Sequence, residues 1–158
     1  MAIPKKIINF LEKNKVKYEV IKHKTVYTAL DKAATLKTPK KIIGKTLLLK
    51  LDKKPALVII PADKNLDKQK LKKIAKAKEI DFIKENWMKK NLKGLKVGAI
   101  PPFASLWKMS IFGEKNLFSQ PKIIINSGDY SFSIRINPKD FKKICPDIKI
   151  GNFSQIKK

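Results

Sequence analysis

The stretch Ile42-Ile43-Gly44-Lys45-Thr46-Leu47-Leu48-Leu49-Lys50-Leu51 carries apolar residues at successive positions rather than alternate ones. Ala56-Leu57-Val58-Ile59-Ile60 repeats the pattern after the charged turn Asp52-Lys53-Lys54-Pro55. A strand with one wet face alternates, whereas a short unbroken apolar run belongs to a strand buried on both faces. The two runs predict a central hairpin with Lys45 at its mouth. Upstream, Pro4 followed by the stripe Ile7, Ile8, Phe10 and Leu11, with Ile3 before it, predicts a helix ending at Asn14. Val16, Tyr18 and Val20 alternate with Lys17 and Glu19 as a half-buried strand does, and His23 and Lys24 close it. Thr28 is a helix cap for Ala29 to Leu36, with Ala33-Ala34 as a small-residue face and Pro39 as a stop.

Downstream, Pro61 to Leu66 reads as a loop, and Asp67 caps a lysine-covered surface helix over Lys68 to Lys76 whose narrow stripe is Leu71, Ile74 and Ala75. Ile80 to Ile83 fits an edge strand and Asn86 to Lys90 a turn or two of helix. Trp107 to Phe112 reads as a strand and Gly113 to Gln120 as a polar turn with a short helical element. Lys122 to Asn126, the turn Ser127-Gly128-Asp129, and the alternating Ser131 to Ile136 predict a second hairpin. Pro138 opens a last helix that Pro146 stops, and the basic tail to Lys158 reads as surface-bound or loose. Strands outnumber helices without alternating with them. The class is therefore α+β: a single domain with a mixed, mainly antiparallel β-barrel or curved sheet and peripheral helices. A chain of 158 residues is long enough for one such core.

Charge changes the picture most. Thirty-seven basic residues against thirteen acidic ones leave a formal +24, a field that favours a polyanion, with nucleic acid the leading candidate. Biased composition is the competing explanation, since Arg135 is the single arginine, but it accounts for lysine in place of arginine better than for the shortage of acids. No apolar run approaches the ~20 residues of a membrane span and the start lacks the apolar segment of a signal peptide, so a cytoplasmic protein with no membrane partner is expected. One cysteine, Cys145, and one histidine, His23, are too few for a zinc site. Cys145 reads as a small core residue and His23 as a solvated one. No phosphate-binding glycine loop, zinc-protease helix or nucleophile elbow is present.

Two features invite a chemical reading. Lys45 enters the core at the hairpin mouth, where its ammonium is either held in a cleft or simply reaches solvent along an apolar stem. Gly94-Leu95-Lys96-Val97-Gly98-Ala99-Ile100-Pro101-Pro102-Phe103 fixes a bent backbone that no regular ladder accommodates, and is either a functional loop or a corner.

Lys45-Thr46-Leu47-Leu48, then Gly94 with Gly98-Ala99-Ile100-Pro101-Pro102, then Asn126-Ser127-Gly128 with Ile134 and Pro138-Lys139-Asp140-Phe141 together resemble the YbaK family. These are free-standing aminoacyl-tRNA deacylases related to the editing domain of bacterial prolyl-tRNA synthetase. Thr25-Val26-Tyr27-Thr28 with Ala33-Ala34 is similar to the family's first loop and helix. The resemblance implies a metal-independent, cofactor-free ester hydrolase acting on the aminoacylated 3′ end of a tRNA acceptor stem, with tRNA for proline and prolyl-tRNA synthetase as the expected partners. It implies Lys45 as the catalytic residue, with Tyr27, Thr46, Gly98, Asn126, Ser127, Gly128 and Tyr130 around the substrate. Alanine-removing relatives carry an asparagine after the lysine and a histidine two residues past the last glycine. Here those positions hold Thr46 and Tyr130, which leaves the amino acid open. A non-catalytic module that holds an acceptor end or a synthetase surface is the alternative on the same fold.

The charge argument carries a prediction: tRNA affinity should fall steeply with salt, with a log–log slope of roughly −0.7 to −0.9 per phosphate contact. A salt-independent affinity measured by filter binding contradicts it.

Overall fold

The two-sided apolar runs do form a hairpin, and the remaining elements cover its faces. The computed structural model describes residues 3–92 and 94–156. The helices are α1 (Lys5–Lys13), α2 (Ala29–Leu36), α3 (Lys68–Ala75), α4 (Glu85–Asn91), α5 (Lys115–Phe118) and α6 (Pro138–Ile144). The strands are β1 (Tyr18–Lys22), β2 (Gly44–Leu51), β3 (Lys54–Pro61), β4 (Lys64–Leu66), β5 (Ile80–Phe82), β6 (Ser110–Glu114), β7 (Ile123–Asn126), β8 (Phe132–Ile136), β9 (Lys149–Gly151) and β10 (Ser154–Ile156). They form a five-stranded sheet in the order β5-β2-β3-β6-β9, a three-stranded sheet β1-β8-β7 and a two-stranded ribbon β10-β4. Among the described residues none of these closes on itself, so of the two expected forms the curved sheet is the one adopted.

The β2–β3 turn is tighter than the sequence suggests. Only Asp52 and Lys53 form it, at φ 50° and 73°, and Lys54 and Pro55 already pair with Leu51 and Lys50. A two-residue turn with both residues left-handed matches the natural twist of a hairpin. One face of the pair, Leu48, Leu57 and Ile59, packs with Ile7 and Leu11 of α1, Ile125 of β7, Ile134 of β8 and Phe141 of α6. The other face, Leu49, Ala56, Val58 and Ile60, packs with Leu71 of α3, Ile80 of β5 and Phe153. Each large side chain buried there contributes roughly 1.5–3 kcal/mol.

The two larger sheets meet where β2 begins. Ile43 bridges Ile124 in parallel, and Ala33 of α2 packs on Ile43, Ala62 and Ile124. The approach is close because Gly44 has no side chain: a Cβ there would lie 2.7 Å from Ile59 Cδ1 and 3.3 Å from Ile125 Cγ2. The start of β2, the end of β7 and α2 are thereby gathered at one place.

Four expectations are corrected. Val20 is 44 % exposed, because among the described residues β1 is an edge strand paired with β8 alone. Ala104–Leu106 forms a 3-10 turn, which delays β6 to Ser110. The tail is neither loose nor superficial: β9 pairs with β6, β10 pairs with β4, and Phe153 is fully buried. The same pairing turns the expected loop at Lys64 into a strand. Glu114 explains the docking. Its carboxylate is fully buried and accepts from the amides of Phe153 (3.0 Å) and Ser154 (2.9 Å) and from Ser154 Oγ (2.6 Å). A buried carboxylate must be supplied with donors, and here the tail supplies them. No described helix is long and apolar enough to cross a membrane.

Glu114→Ala strands those donors and should lower stability by about 3 kcal/mol in urea unfolding. A change below about 0.5 kcal/mol, the range of ordinary surface substitutions, contradicts the pinning role.

Candidate active site

The β7–β8 turn and the Gly94–Phe103 loop are joined bond by bond. Ser127 Oγ donates to Phe132 O at 2.7 Å and accepts from the Asp129 amide at 3.3 Å, so this buried serine holds the turn's shape rather than facing substrate. The Gly128 amide donates to Ala99 O at 2.7 Å. Gly128 sits at φ +100°, and a Cβ there would press within 3.1 Å of Leu95 and Pro4, so glycine is required both by backbone and by space. The Tyr130 hydroxyl donates to Val97 O. Asn126 Nδ2 donates to Ile100 O at 3.2 Å, with Gly98 O at 3.5 Å. Lys96 pairs with Asp129 at 2.8 Å and lies over the Tyr130 ring, 5.4 Å from its centroid.

The opposite wall comes from the segment before α2 and from α2 itself. The Val26 amide donates to Tyr130 O at 3.1 Å, and Tyr27 meets Tyr130 edge to face with centroids 4.7 Å apart. Thr28 Oγ1 caps α2 by accepting from the Asp31 amide at 3.0 Å. One turn into the helix, Lys32 is 7 % exposed and its Nζ donates to Asn126 Oδ1 at 2.8 Å. Asn126 is thus gripped from both sides, its oxygen by α2 and its nitrogen by the glycine loop.

These walls enclose a cavity of about 10 Å³ lined by Val26, Tyr27, Thr28, Lys32, Gly98, Ala99, Asn126, Asp129 and Tyr130, room for about one water-sized group. Gly98 lies at φ +86° with Tyr27 O 3.6 Å from where a Cβ would stand, so a side chain there would strain the loop and crowd the wall. The Tyr27–Tyr130 pair also borders an open hollow of about 450 Å³ lined further by Glu85, Lys89, Leu95, Lys96 and Val97. A small compartment therefore borders a larger hollow that carries Lys89 and Lys96.

Of the residues expected at the site, Tyr27, Gly98, Asn126 and Tyr130 line the cavity, and Ser127 and Gly128 form its turn. Lys45 stands beside them without lining it. The parallel bridge of Ile43 with Ile124 places Lys45 and Asn126 on the same face, two residues further along each strand. The Lys45 ammonium is turned to Lys64 O at 2.8 Å. Thr46 points to the other face of β2, with its hydroxyl buried and unpaired. His23 is not left to solvent: its Nδ1 lies 2.7 Å from Lys24 O and its Nε2 2.9 Å from Ser133 Oγ. Lys32, Lys96 and Asp129 were not expected. Lys32 was legible, because Ala29, Lys32, Ala33 and Leu36 follow the spacing of a helix's buried face.

Electrostatics mark two of these groups. Burial holds the Lys32 amine down, from the usual 10.5 to about 8. Burial pushes the Asp129 carboxyl up, but the Lys96 hydrogen bond and charge and the Ser131 amide together outweigh it and leave the group below its ordinary value. A hollow of about 510 Å³ elsewhere is lined by Ser105, Lys108, Met109, Cys145 and Asp147 among others. Burial raises the Cys145 thiol, and its Sγ faces Pro102 O at 3.8 Å, so it is a poor nucleophile and a core residue as expected. Among the described residues no three His, Cys, Asp or Glu side chains gather as metal ligands.

The sequence profile of the aminoacyl-tRNA editing domain matches residues 23–144, a span that contains every residue of this site. The fold is shared with a crystal structure of a hypothetical protein, at 20 % identity and TM-score 0.84 over 95 % of this chain and 99 % of that one. It is shared equally with a structure described as a candidate trans-editing enzyme for prolyl-tRNA synthetase, at 15 % identity and TM-score 0.84 over 98 % and 99 %. No curated protein sequence matches the chain. An α+β domain with a pocket between a glycine loop and a hairpin turn carries this profile over most of its length, and the chain belongs to the family of aminoacyl-tRNA editing domains.

The unfolded chain keeps the Lys32 proton up to about pH 10.5 while the folded one releases it near pH 8. Stability therefore rises with pH through that window, and below it the buried charge costs on the order of 3 kcal/mol. Lys32→Met, which also forfeits one hydrogen bond, should be about 2 kcal/mol more stable than the parent at pH 7. The gap should close between pH 8 and pH 10.5. A gap that does not change with pH in urea titrations contradicts the burial account.

Proposed function

We propose that the chain is a trans-editing deacylase that hydrolyses the ester between a small, wrongly attached amino acid and the terminal ribose of tRNA, with tRNA for proline as its substrate. The observation that carries this reading is the paired compartment. A cavity for one small group adjoins a basic hollow, as an acyl side chain next to a terminal nucleotide requires. In this reading the acyl group enters between Gly98 and Tyr130, the terminal adenosine lies against the exposed face of Tyr27, and Lys89 and Lys96 face the last phosphates. Stacking of a base on an exposed aromatic ring and phosphate attraction to lysine are the ordinary means of holding a single-stranded end.

Deacylation asks little beyond position. An aminoacyl ester is already activated. Water adds to its carbonyl carbon, and the tetrahedral intermediate collapses by breaking the bond to the ribose oxygen, which takes a proton as the free amino acid leaves. The protein's part is to orient the ester and water and to stabilise the oxyanion. Lys45, on the same face as Asn126, is the donor we assign to the ester carbonyl, reached by exchanging the Lys64 carbonyl for substrate. The substrate's own vicinal hydroxyl or α-amino group serves as proton acceptor. The Lys45 bond to Lys64 also favours a second reading, in which Lys45 braces the β3–β4 connection and the chain only holds an acceptor end.

Lys45→Ala decides between them. Loss of a charged oxyanion donor costs about a hundredfold in kcat/KM, while tRNA affinity falls by no more than one phosphate contact's share. Lys72→Ala, on the surface of α3, is the control. Deacylation by Lys45→Ala at the control's rate, or a loss explained by a lowered urea midpoint, overturns the catalytic role.

A further inference from the structure

We infer that Lys32 is the polar anchor of the acyl compartment and that the amino acid removed carries a hydroxyl on its first side-chain carbon, serine rather than alanine. The inference rests on the deacylase reading and deepens it. An ammonium has three donor hydrogens, and among the described residues Lys32 Nζ has one partner, Asn126 Oδ1. Its side chain lines the cavity, and the cavity admits about one small group. The hydroxyl of a hydroxymethyl group fills that space and brings an acceptor to the remaining donors. A methyl group stops short of it and leaves them dry, which is how a site built around a polar group rejects the analogue that lacks one. A thiol is bulkier and a weaker acceptor.

Two further observations point the same way. A lysine 7 % exposed on the packed face of α2 is destabilising where it stands, and groups kept at such a cost cluster at functional sites. Burial also lowers its proton affinity, as expected of an ammonium held out of water at a cost.

The test uses the full chain and unfractionated tRNA charged chemically with serine or with alanine, so that the result does not depend on which tRNA is read. The parent protein should release serine about 10- to 100-fold faster than alanine, the range of one hydrogen bond to a charged group. Lys32→Met should lower the ratio of serine release to alanine release at least tenfold, a change in ratio that a merely structural lysine would not produce. Alanine release as fast as serine release by the parent overturns the inference and leaves the deacylase reading standing. So does an unchanged ratio in Lys32→Met. Release of neither overturns both. Should Lys32→Met fail to fold, the parent's own ratio still decides.

Discussion

A strand pair that is apolar on both faces leaves no room for chemistry along its length, and this constraint organises the molecule. The β2–β3 hairpin is covered on one side by α1, α6 and the three-stranded sheet and on the other by α3 and the tail. Polar groups with work to do are driven to its ends. At one end the sheets meet over Gly44, whose missing side chain lets Ile59 and Ile125 close together, and the site is assembled beside that junction. The glycine loop cannot pair in a ladder, so its carbonyls are satisfied individually by Asn126, Tyr130 and the Gly128 amide. A rigid pocket wall results from a segment that has no secondary structure of its own.

Two buried charges show different solutions to the same problem. Glu114 is satisfied completely, and its partners are what fold the C-terminal strands onto the sheet. Lys32 is satisfied only in part, and it lines a cavity. The first is a structural device, since both its oxygens accept from groups of this chain. The second has one partner, Asn126 Oδ1, among the described residues and borders a cavity instead of further donors and acceptors of this chain.

Much of this was legible in the residues. Continuous apolar runs marked the doubly buried hairpin, Thr28 and Asp67 marked the helix starts they do cap, and the positive-φ glycines of the loop and turn lie where their spacing suggested. What was not legible depended on long-range partners. The tail docks through Glu114, whose donors lie 39 and 40 residues away, and no local pattern reports such a pairing. At Tyr130, which stands where alanine-removing relatives carry a histidine, the hydroxyl is committed to Val97 O and the ring to Tyr27, partners that no local pattern reports. Lys32 was overlooked because one lysine among many reads as surface, although its place on the stripe with Ala29, Ala33 and Leu36 was visible in the helix period.

The central claim is that the compartment between Gly98 and Tyr130 receives an aminoacyl end. The most direct measurement is an amide-detected NMR titration of the labelled protein with seryl-adenosine in which an amide replaces the ester. The account predicts the largest shifts at Gly98, Asp129 and Tyr130 and in the Asn126 side-chain amide, all of which line the cavity. Shifts centred instead on Ser105, Met109 and Cys145, around the larger hollow, would contradict it.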